Sequence, residues 1–496
     1  MATFNSTIRG TDTGDTLIGT QSDQLILGGT SGDSIGSRYA NSCLVGSGGA
    51  DTFFANSAVP GLGAGDTVTG NDGGDSFDFG TYSLSRVALY GNADNDTVRL
   101  TGPLLQSSVF GGLGEDSIQL RDTVSASRVE GNSGNDTIDI TAGVTGSFLH
   151  GGAGDDRFSV TGTVTGSTFS GGSGADLLTF QSAVSASSVD GGLGDSADTI
   201  RFVGAVSNST ITFASGADSL ALGNGLTSST VSSGDGGDTL VVSLRAVNSS
   251  LDGGAGADLI TVSGSLSATT VSGGSGADTI QVSAGLEATQ LLGNQDDDSI
   301  SIGGTATSSS VLGGQGNDTI AIVGGVIGGN VEGNSGADSI SIGGTATGAL
   351  VAGGQGNDTL LLGGVSGGQV GGQLGADSLR VNGSVLNALV SMTSTSDPDN
   401  ADDLADTISV TGSVSNSTIY SGAGADLISV DGALIGGSVF AGSANDTVVV
   451  SSSLGAYVDL AAGDDSLSAS LISGATVAGG SGNDMLTVAN NATSSS

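Results

Sequence analysis

The chain has 496 residues, a formal net charge of −40, 91 glycines and a single cysteine. Charged residues make up 12%: the ten basic ones are all arginine, and four glutamates (Glu115, Glu130, Glu287, Glu332) leave 46 aspartates. Disulfide bracing is excluded because Cys43 has no partner, zinc is disfavoured by the near absence of His and Cys, and such acidity disfavours nucleic acid and anionic membranes as partners.

Residues 1–9 lack the apolar core of a signal peptide, and no stretch approaches the roughly 20 apolar residues of a membrane span. From Asp15 a nine-residue beat runs Asp15, Gln24, Asp33, Ser42, Asp51. Two beats make an 18-residue coil in which one edge keeps the carboxylate and the other loses it. The region 1–95 continues less regularly through Asp75. From Asp96 the coil is longer by two positions, and Asp116, Asp136, Asp156 and Asp176 follow at the new spacing. Asp198, Asp218, Asp238, Asp258, Asp278, Asp298, Asp318, Asp338 and Asp358 then return with an unbroken period of twenty. Asp377 follows, and a 29-residue step to Asp406 implies nine inserted residues near 391–403. That insertion carries Pro398, Asp397, Asp399, Asp402 and Asp403 and reads as a solvated loop. Asp426, Asp446, Asp465 and Asp484 complete the series. A fixed period of this length marks a stack of repeats, so 1–496 reads as one continuous solenoid of about 24 coils.

Within a coil, the turn Gly313-Gly314-Gln315-Gly316-Asn317-Asp318 leads into Thr319-Ile320-Ala321-Ile322, where alternation puts Ile320 and Ile322 on one face. Val323-Gly324-Gly325 is a second reversal, and the return stretch carries Val326 and Val331. The apolar runs are too short for helices and are rich in β-branched residues. The expected fold is all-β: a parallel β-solenoid, or β-roll, with two short strands per coil around a thin aliphatic core. At about 4.8 Å per coil this predicts an elongated rod on the order of 110 Å long. About four apolar side chains per coil make a small core beside the entropy of ordering twenty backbones. Carboxylates stacked about 4.8 Å apart also repel one another, by about 0.9 kcal/mol in a water-like dielectric. Divalent cations between successive turns would reverse that sign. Calcium suits carboxylate and carbonyl oxygens in flexible turns. All 24 aspartates of the series are therefore candidate metal ligands.

The turns Gly111-Gly112-Leu113-Gly114-Glu115-Asp116, Gly151-Gly152-Ala153-Gly154-Asp155-Asp156, Gly171-Gly172-Ser173-Gly174-Ala175-Asp176 and Gly479-Gly480-Ser481-Gly482-Asn483-Asp484 resemble the nonapeptide of RTX, or hemolysin-type, calcium-binding repeats. The resemblance covers about Gly10 to Val488. It implies a β-roll with Ca2+ held between turns by the Asp carboxylate and glycine carbonyls. It also implies type I secretion and an extracellular or cell-surface location. Here the motif keeps its Asp on one edge only, so a one-sided ladder and a neutral, hydroxyl-rich opposite edge are expected. Three turns are degraded: Phe213 to Asp218 lacks the first two glycines, Asp296 replaces the inner glycine before Asp298, and Ala444 replaces it before Asp446.

No catalytic set is visible, and the chain reads as a non-enzyme. His150 stands alone before a turn glycine, and Ser and Thr lack a paired base. Arg99, Arg121, Arg128 and Arg157 read as counter-charge on an acidic surface. Tyr39, Tyr82, Tyr90, Tyr420 and Tyr457 form no regular stripe. The leading expectation is a secreted structural repeat protein of a surface layer, matrix or filament, self-associating head to tail or laterally. The alternatives are a glycan- or host-binding adhesin or viral fibre that contacts surface polysaccharide, and a polysaccharide-acting enzyme or its accessory module.

Overall fold

The computed structural model describes residues 4–37, 39–55, 62–393 and 404–496. The chain divides into two compact units, Met1–Leu244 and Arg245–Ser496. Among the described residues there is no helix, and the strands within each unit are paired in parallel with their counterparts one coil away. The all-β parallel solenoid expected from the period is thus observed. The inserted segment 394–403 lies outside the described residues.

One coil of the first unit shows the plan. Its two short strands are Ser108–Leu113 and Ser117–Leu120, followed by the two-residue paired segment Val124–Ser125. All three pair with their equivalents in the next coil: Val109 with Val129, Ile118 with Ile138, Val124 with Val144. The side-chain period of two then sends Val109, Ile118, Leu120 and Val124 inward, each essentially fully buried. That is the four apolar side chains per coil expected from the sequence. Near the N-terminus the coil is the shorter, two-beat one, with Ser6–Arg9 paired to Gln24–Leu27.

The core differs from expectation in one respect, because it is not purely aliphatic. In the first unit Phe180 stacks on Phe202 with ring centroids 4.9 Å apart and Phe53 on Phe77 at 4.8 Å, while Phe169 meets Phe180 edge-on at 4.9 Å. Parallel in-register stacking places like residues one above another, which is the spacing that offset aromatic pairs prefer. In the second unit the corresponding columns are aliphatic, for example Val271, Ile280, Val282 and Leu286.

A further corner precedes each return strand. Its residue takes φ near +50°, as at Ala126, Asn208, Ala268 and Ala288. The chain reverses there without help from glycine in most coils.

Candidate metal-binding edge

The Asp series forms a column along one edge of each unit. Its carboxylates point inward: most ladder aspartates, from Asp33 to Asp465, are only 1–3% exposed. The sequence places them along an edge, and the structure adds that they are covered by the turns. Each Asp Oδ1 accepts the backbone N–H of the Asp one coil earlier. In the first unit, from Asp15 N–H onto Asp33 through Asp218 N–H onto Asp238, the distances are 2.6–2.8 Å. In the second unit the same bond runs from Asp258 N–H onto Asp278 through Asp446 N–H onto Asp465.

The residue after each Asp completes a clasp. The Ser117 N–H donates to the carbonyl of Asp96 at 2.8 Å, while Asp116 Oδ1 accepts the Asp96 N–H at 2.7 Å. Both backbone groups of one ladder residue are therefore held by the residue pair of the following coil.

The opposite edge performs the same task with hydroxyls. Ser107 N–H donates to Ser127 Oγ at 3.2 Å, and the Arg128 N–H donates to the Ser107 carbonyl at 2.9 Å. The column continues through Ser147, Ser167, Ser187 and Ser209, and in the second unit includes Thr269, Thr289 and Ser309. Each hydroxyl also donates to the carbonyl two residues back, as Ser127 does to Ser125 at 2.8 Å. The sequence reading recognises this edge as hydroxyl-rich but misses its order. A recurrence of Ser or Thr at the coil period, offset from that of Asp, is the signal that finds it. Nearer the N-terminus Asp66 occupies this second edge, its Oδ1 accepting the Ser42 N–H and its Oδ2 the Gly63 N–H, both at 2.6 Å.

The carboxylate differs from the hydroxyl in having a second oxygen. Oδ2 of Asp51, Asp75, Asp96, Asp116, Asp136, Asp156 and Asp176 is buried without a hydrogen-bond donor. The same holds in the second unit for Asp278, Asp298, Asp318, Asp338, Asp358 and Asp377. At the start of the ladder the second oxygen is satisfied by the chain, by the Thr11 N–H for Asp15 and the Gly29 N–H for Asp33.

Most of these oxygens face a cradle left by the first glycine of their turn, whereas the equally donorless Oδ2 of Asp218, Asp446 and Asp465 does not. A Cβ built on Gly91 collides at once with Asp96 Oδ2 and with the carbonyl oxygen of Gly111 in the next coil. The same pair of oxygens converges at Gly111, Gly131, Gly151 and Gly171, and at Gly293 and Gly333. Elsewhere a side chain takes that glycine's place: buried Phe213 before Asp218, Ser233 before Asp238, Ser421 before Asp426, Ala441 before Asp446 and Leu460 before Asp465. The Phe213 ring also crowds Gly191, the cradle glycine ahead of Asp198.

This sorts the degraded turns by mechanism. Those of Asp218 and Asp446 have filled cradles. The turn of Asp298 retains Gly293, and its Asp296 affects only the inner position, where it adopts φ +70°. There Asp296 Oδ2 accepts the Gly276 N–H at 3.1 Å, and Asp94 does the same for Gly73 at 2.9 Å.

Burial sets the electrostatics. Desolvation pushes Asp51, Asp116, Asp278 and Asp338 up to about 6, Asp75, Asp136, Asp176, Asp298 and Asp358 to about 7, and Asp96 and Asp156 to about 8. Neighbouring carboxylates add to most of these shifts, and the donated backbone N–H opposes them. Among the described residues no three acidic, thiol or imidazole side chains converge on one point. A cation here would take one carboxylate per coil and depend on backbone carbonyls for the rest.

Among the other sequence-flagged residues, Arg157 follows Asp156 directly, and its N–H completes the clasp onto the Asp136 carbonyl at 2.8 Å. Arg99 faces Asp78 at 3.5 Å, Arg121 faces Asp139 at 2.9 Å, and Arg128 pairs with Glu130. His150 is in register with Glu130 on one side and Ser170 on the other. The tyrosines are less scattered than the sequence suggests, because phenylalanines complete their stacks: Tyr90 on Phe110 at 5.0 Å, and Tyr420 on Phe440 at 4.8 Å. No protein-family model and no curated protein matches the chain.

Proposed function

We propose that this chain is a calcium-binding structural repeat protein of the RTX type, non-catalytic, whose coils are locked by cations along the aspartate edge. One observation carries this reading. The hydroxyl edge makes the same inter-coil clasp with neutral groups, so the backbone does not require a carboxylate. The aspartate edge nevertheless buries a second, donorless oxygen in coil after coil, facing a glycine carbonyl. An uncompensated buried carboxylate is costly, and hard oxygens in a glycine-walled cradle fit calcium. Asp96, Asp116, Asp136, Asp156, Asp298, Asp318 and Asp338, with the carbonyls of the glycines facing them, would hold the ions. Bound calcium would supply the positive charge that the buried row lacks.

The cradles closed by Phe213, Ser233, Ser421, Ala441 and Leu460 would take no ion, so the ladder is interrupted rather than uniform. A rigid, repeat-filled chain of this kind suits an extracellular layer, matrix or filament, with self-association by further strand stacking. Secretion by a type I route accords with the repeat resemblance.

Calcium titration after exhaustive chelation, followed by circular dichroism and calorimetry, is the direct test. A lower melting temperature on chelation and its recovery with calcium is expected; a melting curve unchanged in chelator rejects the reading. Asp318→Asn sharpens it. The amide oxygen can still accept the Asp298 N–H, which is 2.8 Å from Oδ1 in the parent, while the buried charge is gone. The variant is expected to be more stable than the parent in chelator and less stable in calcium, with fewer ions bound. A substitution that has the same sign in both conditions counts against cation binding.

A further inference from the structure

The outer surface of the first unit carries a notch beside the aspartate edge, with which it shares Gly111. Asn92, Gly112 and Asn132 lie in register on three successive coils, so the two amides stand about 10 Å apart along the stack. Between them Gly112 has φ +133°, and a Cβ there would strike the Asn92 backbone. The floor is therefore open by necessity. One wall is the stacked pair Tyr90 and Phe110, centroids 5.0 Å apart; the other is Leu113, 62% exposed. The space, open to solvent on its outer side, amounts to about 350 Å³, within the range of small-molecule sites.

We propose that this notch binds a neutral saccharide unit. Ring edges and Leu113 offer apolar contact to the C–H faces of a pyranose, and the two amides offer both donors and acceptors to its hydroxyls. The lining residues themselves are uncharged, the Arg128 guanidinium over the Phe110 ring is paired with Glu130, and the chain's net charge of −40 disfavours anionic ligands. The second unit holds a backbone counterpart, with Asn294, Gly314 and Asn334 in register. There the ring positions are Leu292 and Leu312, so that counterpart lacks the aromatic wall and serves as an internal control.

The test uses the full chain in calcium and a panel of neutral gluco-, manno- and galacto-oligosaccharides, read by isothermal titration calorimetry. Glycine already occupies the Asn92 and Asn132 column in adjoining coils, and both asparagines have φ near +80°. The double variant Asn92→Gly/Asn132→Gly therefore removes the amides without burdening the fold. At least one oligosaccharide is expected to bind the parent, the double variant is expected to lose at least tenfold in affinity, and Asn294→Gly/Asn334→Gly is expected to bind as the parent does. The proposal is overturned if no oligosaccharide in the panel binds, if Asn92→Gly/Asn132→Gly binds unchanged, or if both double variants weaken binding equally.

Discussion

Single residues carry strain in this fold where glycine is missing from its usual turn position. Ala444 stands at the inner position with φ +89°, in a region where a Cβ costs roughly 1–2 kcal/mol. Asp296 occupies the same position with φ +70° but recovers part of the cost through its bond to the Gly276 N–H. Ala444→Gly is therefore expected to raise stability by about 0.5–1 kcal/mol after the entropy of the new glycine is subtracted. Asp296→Gly should gain less, or nothing. Urea midpoints at fixed calcium compare the two. An equal or larger gain at Asp296 would show that its side-chain bond contributes nothing.

Among the elements, the two edges are the most instructive contrast. Ser147 Oγ accepts the Ser127 N–H at 3.2 Å and donates to the Thr145 carbonyl at 3.0 Å. Ser147→Ala leaves a buried backbone donor unpaired and should cost about 1–3 kcal/mol. Ser147→Thr should cost much less, because Thr269 and Thr289 hold the same place in the column. If Ser147→Ala proved neutral in urea unfolding, the hydroxyl column would not be a stabilising seam. The strands, their register and the aspartate column were legible in the sequence because parallel stacking repeats every chemical choice at the coil period. The inward aim of the carboxylates was not, since a turn Asp reads the same whether covered or solvated. The cradle fillers Ser233 and Leu460 were also missed: they are ordinary residues, and only the packing shows that they stand where a glycine carbonyl otherwise faces the carboxylate. The phenylalanine stacks were hidden because like residues fall in one column only when the register is known.

For the molecule as a whole, the buried column dictates how stability responds to acid. Unfolded, these carboxylates titrate near 3.8; folded, many hold their proton to about 6–8. Between those values the folded chain binds more protons than the unfolded one, so stability falls as pH rises. Without calcium the thermal midpoint should be highest at about pH 4 or below and decline from there through pH 6–8. With saturating calcium the trend should reverse, because the metal needs the ionised carboxylate. Melting curves across pH, with and without chelator, check both limbs. A chelated chain that gains stability from pH 5 to pH 8 would contradict the buried, uncompensated row.

The clasp also has a direction. Each ladder N–H and carbonyl is secured by the residue pair one coil later, as Asp136 Oδ1 and the Thr137 N–H secure Asp116. A turn thus stays unlatched until its successor arrives. Removing the last coil therefore frees the ladder backbone of the coil before it, whereas removing the first leaves the rest of the seam bonded. The seam works as a ratchet, each tooth cut by the one that follows.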